Sequence, residues 1–137
     1  MTMDDFRELK TGIVFRDHQY FCSLELALDL IGGKWKIMML YQLRIGPLRS
    51  ADLQRKMRGI SAKVFTQTAR KLENDGLLIR TVYPVVPPKV EYSLTELGRS
   101  VIPVIMEMGY WGERISEKAG MGACVDKIDA SSISRSM

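Results

Sequence analysis

Gly59-Ile60-Ser61-Ala62-Lys63-Val64-Phe65-Thr66-Gln67-Thr68-Ala69-Arg70-Lys71-Leu72-Glu73-Asn74-Asp75-Gly76-Leu77 is the stretch whose reading decides the fold. Its pattern predicts a short helix with two faces. Ser61 is placed to be the N-cap, because a serine hydroxyl can accept a backbone N–H that the first helical turn leaves unpaired. Gly76 stands where a left-handed C-terminal cap belongs. Between them Phe65, Thr68, Ala69 and Leu72 recur at helical spacing and are expected to face a core. Lys63, Thr66, Gln67 and Arg70 fall on the opposite face. Long donors with hydroxyls between them are what a DNA-reading helix needs for base edges and phosphates, and they are also what a merely solvated face carries.

Immediately upstream, Ala51 to Met57 predicts another helix, with Ser50 as its nearest cap and Leu53 and Met57 turned inward. Arg58-Gly59-Ile60 is a tight connection between the two, so helix, brief glycine turn and polar-faced helix make a helix-turn-helix. Leu48-Arg49 can add an edge strand. Downstream, Leu77 to Val86 and Val90 to Leu94 are rich in β-branched and aromatic residues, and Pro84, Pro87 and Pro88 interrupt them. This is a β-hairpin whose proline-stiffened tip carries Lys89: a wing. Thr95 then caps a long helix with apolar positions Leu97, Val101, Val104, Ile105, Met108, Trp111 and Ile115, and Pro103 is expected to kink it.

On the N-terminal side, Lys34 to Leu43 predicts a broadly apolar, central helix, and Gly32-Gly33 separates it from a helix over Cys22 to Ile31 with Ser23 as a cap. The chain is therefore expected to comprise an irregular N-terminal arm (1–21), a helical domain with a hairpin (22–118) and a mobile tail (119–137).

Charge narrows the partner. Between Lys34 and Lys89 lie 12 Lys/Arg against three acids (Asp52, Glu73, Asp75), a net of +9, while the rest of the chain carries −5. A basic middle between acidic flanks is the footprint of a nucleic-acid surface. No apolar run approaches the roughly 20 residues of a membrane span. The acidic start (Asp4, Asp5, Glu8) is unlike a signal peptide, which predicts a cytoplasmic protein. Two cysteines 102 positions apart, Cys22 and Cys124, make neither a disulfide framework nor a CxxC metal pair.

Four strings then carry a family likeness: Asp29-Leu30-Ile31-Gly32-Gly33-Lys34-Trp35; Gly59-Ile60-Ser61-x-Lys63; Leu72-Glu73-x-Asp75-Gly76-Leu77; and Tyr83-Pro84-x-Val86-Pro87-Pro88-x-Val90-Glu91-Tyr92-Ser93-Leu94-Thr95-x-Leu97-Gly98. In this order and spacing, from Cys22 to about Gly112, the chain resembles the HxlR-type winged-helix transcriptional regulators, relatives of the MarR group. The resemblance implies a mainly α winged helix-turn-helix with a small β-hairpin, acting as a homodimer through its first and last helices on double-stranded DNA. Carried onto this chain, the DNA-side positions are Ser61, Lys63, Thr66, Gln67, Arg70 and the wing's Lys89. The apolar stripe of the last helix, longer than one small winged core requires, puts Leu97, Val101, Ile105, Met108 and Trp111 at the dimer seam. Cys22 stands where many members carry an N-terminal cysteine, some of which sense oxidants or electrophiles. Cys124, following the last helix, is a candidate partner for it across the dimer. Ser23, Ser50, Ala51 and Arg58 depart from residues common in the family at those positions.

Other functions have thinner support. His18 and Cys22 are four apart, but nothing supplies the orienting group and oxyanion site that nucleophilic catalysis requires, so no enzyme is expected. His18, Cys22 and Cys124 are too few for a metal site, and no cofactor is implied. A winged helix can instead serve as a protein-interaction module. A small effector could also bind among Met38, Met39, Met106, Met108 and Trp111, since methionine makes an adaptable lining.

Overall fold

A computed structural model of the protein describes residues 6–120. The chain divides into two compact units, one ending at Lys34 and the other beginning at Trp35.

The first unit is a hairpin followed by a helix. Strands β1 (Thr11–Phe15) and β2 (His18–Cys22) pair antiparallel, with Ile13 opposite Tyr20 and Phe15 opposite His18. Arg16 and Asp17 close the turn at φ 49° and 66°, the doubly left-handed geometry that matches strand twist in two-residue hairpins. This corrects the expectation of an irregular arm. The strand pattern is short and its turn is Arg-Asp rather than Asn-Gly, so the usual turn signal is missing. Helix α1 (Ser23–Ile31) follows at once, and the Ser23 N–H donates to the Lys10 carbonyl at 3.0 Å. Ser23 is thus the first helical residue rather than the cap. The cap position is Cys22, whose side chain makes no capping hydrogen bond. The Tyr20 hydroxyl donates to Asp29 Oδ2 at 2.7 Å and ties hairpin to helix.

The second unit contains α2 (Lys34–Gln42), β3 (Leu48–Arg49), α3 (Ser50–Lys56), α4 (Ala62–Asn74), β4 (Leu78–Tyr83), β5 (Lys89–Leu94), α5 (Glu96–Ser100) and α6 (Ile102–Lys118). Met39, Leu40 and Leu43 at the end of α2, Leu53 and Met57 around α3, and Phe65, Ala69 and Leu72 of α4 form its buried core. Of the broad stripe expected of the Lys34–Leu43 segment only Met39, Leu40 and Leu43 are buried, Trp35, Met38 and Tyr41 being half-buried, whereas α4 buries the four residues its spacing singled out, Thr68 included. The sheet has the order β3-β5-β4, all antiparallel, so the short edge strand expected at Leu48-Arg49 widens the wing hairpin to three strands.

Helix α4 ends as its sequence requires. Gly76 adopts φ 81°, the Gly76 N–H donates to the Glu73 carbonyl at 3.0 Å, and the Leu77 N–H donates to the Leu72 carbonyl at 2.8 Å. This is the paired C-terminal closure that needs a residue tolerant of positive φ. Leu72 and Leu77 are both buried beside it. The chain then passes directly into β4. At the far end of the wing Thr95 returns to the same point: its hydroxyl donates to the Gly76 carbonyl at 2.6 Å and accepts the Gly98 N–H at 3.0 Å.

Two further expectations change. Ser50 begins α3 instead of capping it; the cap position is Arg49, with no side-chain hydrogen bond. The single kinked helix expected after Thr95 is two helices, α5 and α6, with Val101 between them and Pro103 in the first turn of α6. Proline lacks the N–H an interior turn would use, yet fits a first turn where that N–H has no partner. The prolyl ring therefore starts a helix here.

A side chain at Gly98 would collide with the Leu77 carbonyl oxygen and crowd Leu94. Gly98→Ala should lower stability by about 1–3 kcal/mol, as overpacking does. Urea unfolding followed by circular dichroism measures this, and an unchanged midpoint would contradict the close approach.

Candidate nucleic-acid interface

Helix α4 is positioned by the turn before it. Met57 ends α3, Gly59 adopts φ 89°, and the Ile60 N–H donates back to the Met57 carbonyl at 3.2 Å. Ser61 then caps α4, its Oγ accepting the Val64 N–H at 3.1 Å. With the cap satisfied as an acceptor, the serine O–H remains a donor toward whatever approaches the helix N-terminus.

The faces of α4 divide cleanly. Phe65 packs edge-on against Tyr92 of β5, ring centroids 6.1 Å apart, and fixes the helix on the sheet. Lys63, Thr66, Gln67 and Arg70 are all exposed on the other side. They span eight residues, seven steps and about 10 Å of helix axis at 1.5 Å per residue. Thr66 differs from its neighbours: its hydroxyl donates to the Ala62 carbonyl at 3.0 Å, so outward it offers lone pairs and a methyl group, not a donor. Among the described residues, Lys63, Gln67 and Arg70 make no such internal bond.

The sheet's register sorts the wing's charges. Residues directly opposed in a ladder share a face. Leu48, Tyr92 and Arg80 form one row and Arg49, Glu91 and Thr81 the next, on the other face. Because Tyr92 meets Phe65, Arg80 belongs to the face that carries α4. Arg80 is exposed on the edge strand β4 and is a cation the sequence reading passed over. The alternation Leu78, Arg80, Val82 contained the signal. Arg49 is exposed as well, just before α3.

Lys89 behaves otherwise. It opens β5 opposite Tyr83, on the face turned away from α4. Its Nζ lies 3.6 Å from Glu91 Oε2 and 4.8 Å from the centre of the Tyr83 ring, and the Tyr83 hydroxyl donates to Glu91 Oε1 at 3.3 Å. The expected free cation at the wing tip is held inside the wing, because strand alternation places lysine, glutamate and tyrosine on one face.

On the C-terminal helices the stripe also divides. Ile105 is 4% exposed and belongs to the core of its own chain. Val104, Met108, Trp111 and Ile115, at 3–4 spacing, are exposed by 46–61%, and Leu97 is half-exposed. Contiguous apolar surface of this kind marks an interaction face. Beside it, Ile37, Met38 and Tyr41 of α2 and Met106, Met108 and Tyr110 of α6 line a groove of about 380 Å³. Met39 and Trp111, grouped with these from sequence, do not line it: Met39 is fully buried.

Cys22 is a half-buried free thiol at the N-cap of α1; Cys124 lies outside the described residues. His18 is exposed and its ring lies tilted beside Tyr20, ring centroids 6.4 Å apart. Among the described residues no three His, Cys, Asp or Glu side chains gather to hold a metal, and no helix is long and apolar enough to cross a membrane.

The profile of the HxlR-like helix-turn-helix family matches residues 30–119. The HTH-type transcriptional regulator YdeP of Bacillus subtilis is 42% identical over 125 residues, covering 90% of this chain and 93% of its own. Among solved structures, the redox regulator HypR in its oxidised form is 45% identical with a TM-score of 0.65, over 68% of this chain and 96% of that one. The reduced form of the transcriptional regulator YodB from B. subtilis is 31% identical with a TM-score of 0.61, over 72% and 97%.

Proposed function

Because the chain belongs to the HxlR-like helix-turn-helix family of transcriptional regulators and not to an enzyme family, we propose that it is a homodimeric, sequence-specific regulator that reads double-stranded DNA through α4. The observation that carries this is the outward face of α4, where Lys63, Gln67 and Arg70 stand exposed above a fully buried opposite face. In the major groove Arg70 suits guanine and Gln67 suits adenine, each through two parallel hydrogen bonds. Ser61 and Lys63, at the helix start, are placed for phosphates, which set register without reading sequence. Arg80, on the α4 side of the sheet, extends the phosphate track. Such a protein works in the cytoplasm, where its operator is.

The exposed stripe Val104, Met108, Trp111 and Ile115 of α6 supplies the dimer seam in this reading, with Leu97 at its edge. Leu24 and Leu28 of α1, each more than half exposed, offer a second apolar face to a partner copy. A two-fold dimer then sets its two α4 helices in successive major grooves, about 34 Å apart.

Oxidant sensing through Cys22 is the finer part of the proposal. The support is the likeness to HypR and the thiol's place as a half-buried free cysteine at the N-cap of α1. A Cys22–Cys124 bond between subunits would change the spacing of the reading helices and so the affinity for DNA.

Binding to an operator selected in vitro should fall by orders of magnitude between about 50 and 200 mM salt. Arg70→Ala should cost about 1–3 kcal/mol of operator affinity while leaving Tm unchanged, since the side chain is exposed. Full affinity in Arg70→Ala and Lys63→Ala together would remove the α4 face from the interface. Met108→Glu should give a monomer by analytical ultracentrifugation, because an unpaired charge is costly to bury; a soluble, fully dimeric variant would place the seam elsewhere. Treatment with diamide should alter operator binding by the parent and not by Cys22→Ser. An identical response in both would make Cys22 a packing residue.

A further inference from the structure

The outward row of α4 holds one side chain whose chemistry toward DNA is set by a bond inside the helix. Lys63, Gln67 and Arg70 carry long donors, whereas the donor of Thr66, exposed among them, is already engaged: its hydroxyl donates to the Ala62 carbonyl at 3.0 Å. Two oxygen lone pairs and the γ-methyl are left for a partner. Ala62, four residues earlier, is exposed too. Side chains four apart lie one above the other on a helix. The Ala62 and Thr66 methyls therefore make a small apolar step on the ridge that continues to Arg70, and Lys63 and Gln67 form the ridge beside it.

A base pair that suits this step must offer a methyl group and must not set an acceptor against the threonine oxygen. In the major groove thymine presents its C5-methyl, and the adenine paired with it presents an N6–H donor. Guanine presents the acceptors N7 and O6, and cytosine presents a donor but no methyl. Acceptor against acceptor disfavours guanine at this point, and the missing methyl disfavours cytosine. An A·T pair meets both requirements.

Resting on the reading of α4 as a helix in the major groove, we propose that Thr66, with Ala62 beside it, determines specificity by recognising the 5-methyl group of one thymine in each half-site. Thr66 and Arg70 are four residues apart, about 6 Å of helix axis at 1.5 Å per residue. Successive bases on a strand are about 3.4 Å apart, so this thymine lies within about two base pairs of the guanine that Arg70 contacts. The contact is carbon against carbon and neutralises no phosphate. It selects sequence without adding to the salt dependence that Lys63 and Arg70 bring.

The test removes the methyl group from each side in turn. The full-length protein selects a duplex from a random-sequence library, and each thymine of the selected half-site is replaced by uracil, which lacks the methyl and keeps the pairing. At one position per half-site uracil should weaken binding roughly three- to fourfold, the contribution of one buried methyl group. Thr66→Val keeps a methyl there and should keep the preference for thymine. Thr66→Ser removes the methyl, can still bond to the Ala62 carbonyl, and should bind the thymine and uracil duplexes equally. This double comparison separates contact from an effect of the methyl on duplex shape, which would weaken Thr66→Ser as much as the parent. Parental affinity for every uracil duplex, an undiminished thymine preference in Thr66→Ser, or its loss in Thr66→Val overturns the thymine contact and leaves the reading of α4 in place. If the parent selects no duplex at all, the reading of α4 falls and the thymine contact with it.

Discussion

One side chain, Thr95, ties together α4, the wing and the C-terminal helices. Its hydroxyl donates to the carbonyl of Gly76, where α4 ends, and accepts the N–H of Gly98, where α5 begins. Its own N–H donates to the Leu77 carbonyl at 3.1 Å. Helix α4, the wing and the C-terminal helices therefore meet at one part-buried point. That point tolerates little: Gly76 must adopt positive φ, Gly98 must lack a Cβ, and Leu72 and Leu77 fill the space beneath. A rotation of α4 about its axis would break the closure, so the orientation of Lys63, Gln67 and Arg70 is set from behind, by packing.

The sheet performs a second sorting. Alternation gives Tyr92 to the core and Arg80 to the α4 side, and gives Lys89, Glu91 and Tyr83 to the opposite face. Charges close in sequence thus have different uses. Arg80 is open to a partner, whereas Lys89 stabilises the hairpin that carries it. A count of basic residues between Lys34 and Lys89 cannot distinguish the two; strand register can.

Much of this was legible in the sequence where local chemistry and periodicity agreed. Ser61 and Gly76 bracket α4 because hydroxyl capping and positive φ are properties of single residues. The core face of α4 follows from spacing alone. What the sequence hid depended on contacts distant along the chain or on weak local signals. The β1–β2 hairpin turns through Arg16-Asp17, residues that carry no strong turn preference as a pair. The break at Val101 reflects where Pro103 falls relative to α5, and a helical stripe runs through it unchanged. Ile105 and Met108 look equivalent by periodicity, yet one is 4% exposed and the other 48%, because packing within the second unit decides. Of the site residues, the α4 face was readable, Arg80 was readable only through strand parity, and the pairing of Lys89 was not.

The account stands or falls on two α4 helices lying in successive major grooves on one side of the duplex. Hydroxyl-radical footprinting of the full-length protein on an operator selected in vitro measures this directly. Two protected windows should appear, centred about one helical turn apart, roughly 10 base pairs, and Arg70→Ala should weaken both equally. A single window, or a footprint unchanged by Arg70→Ala, would contradict it.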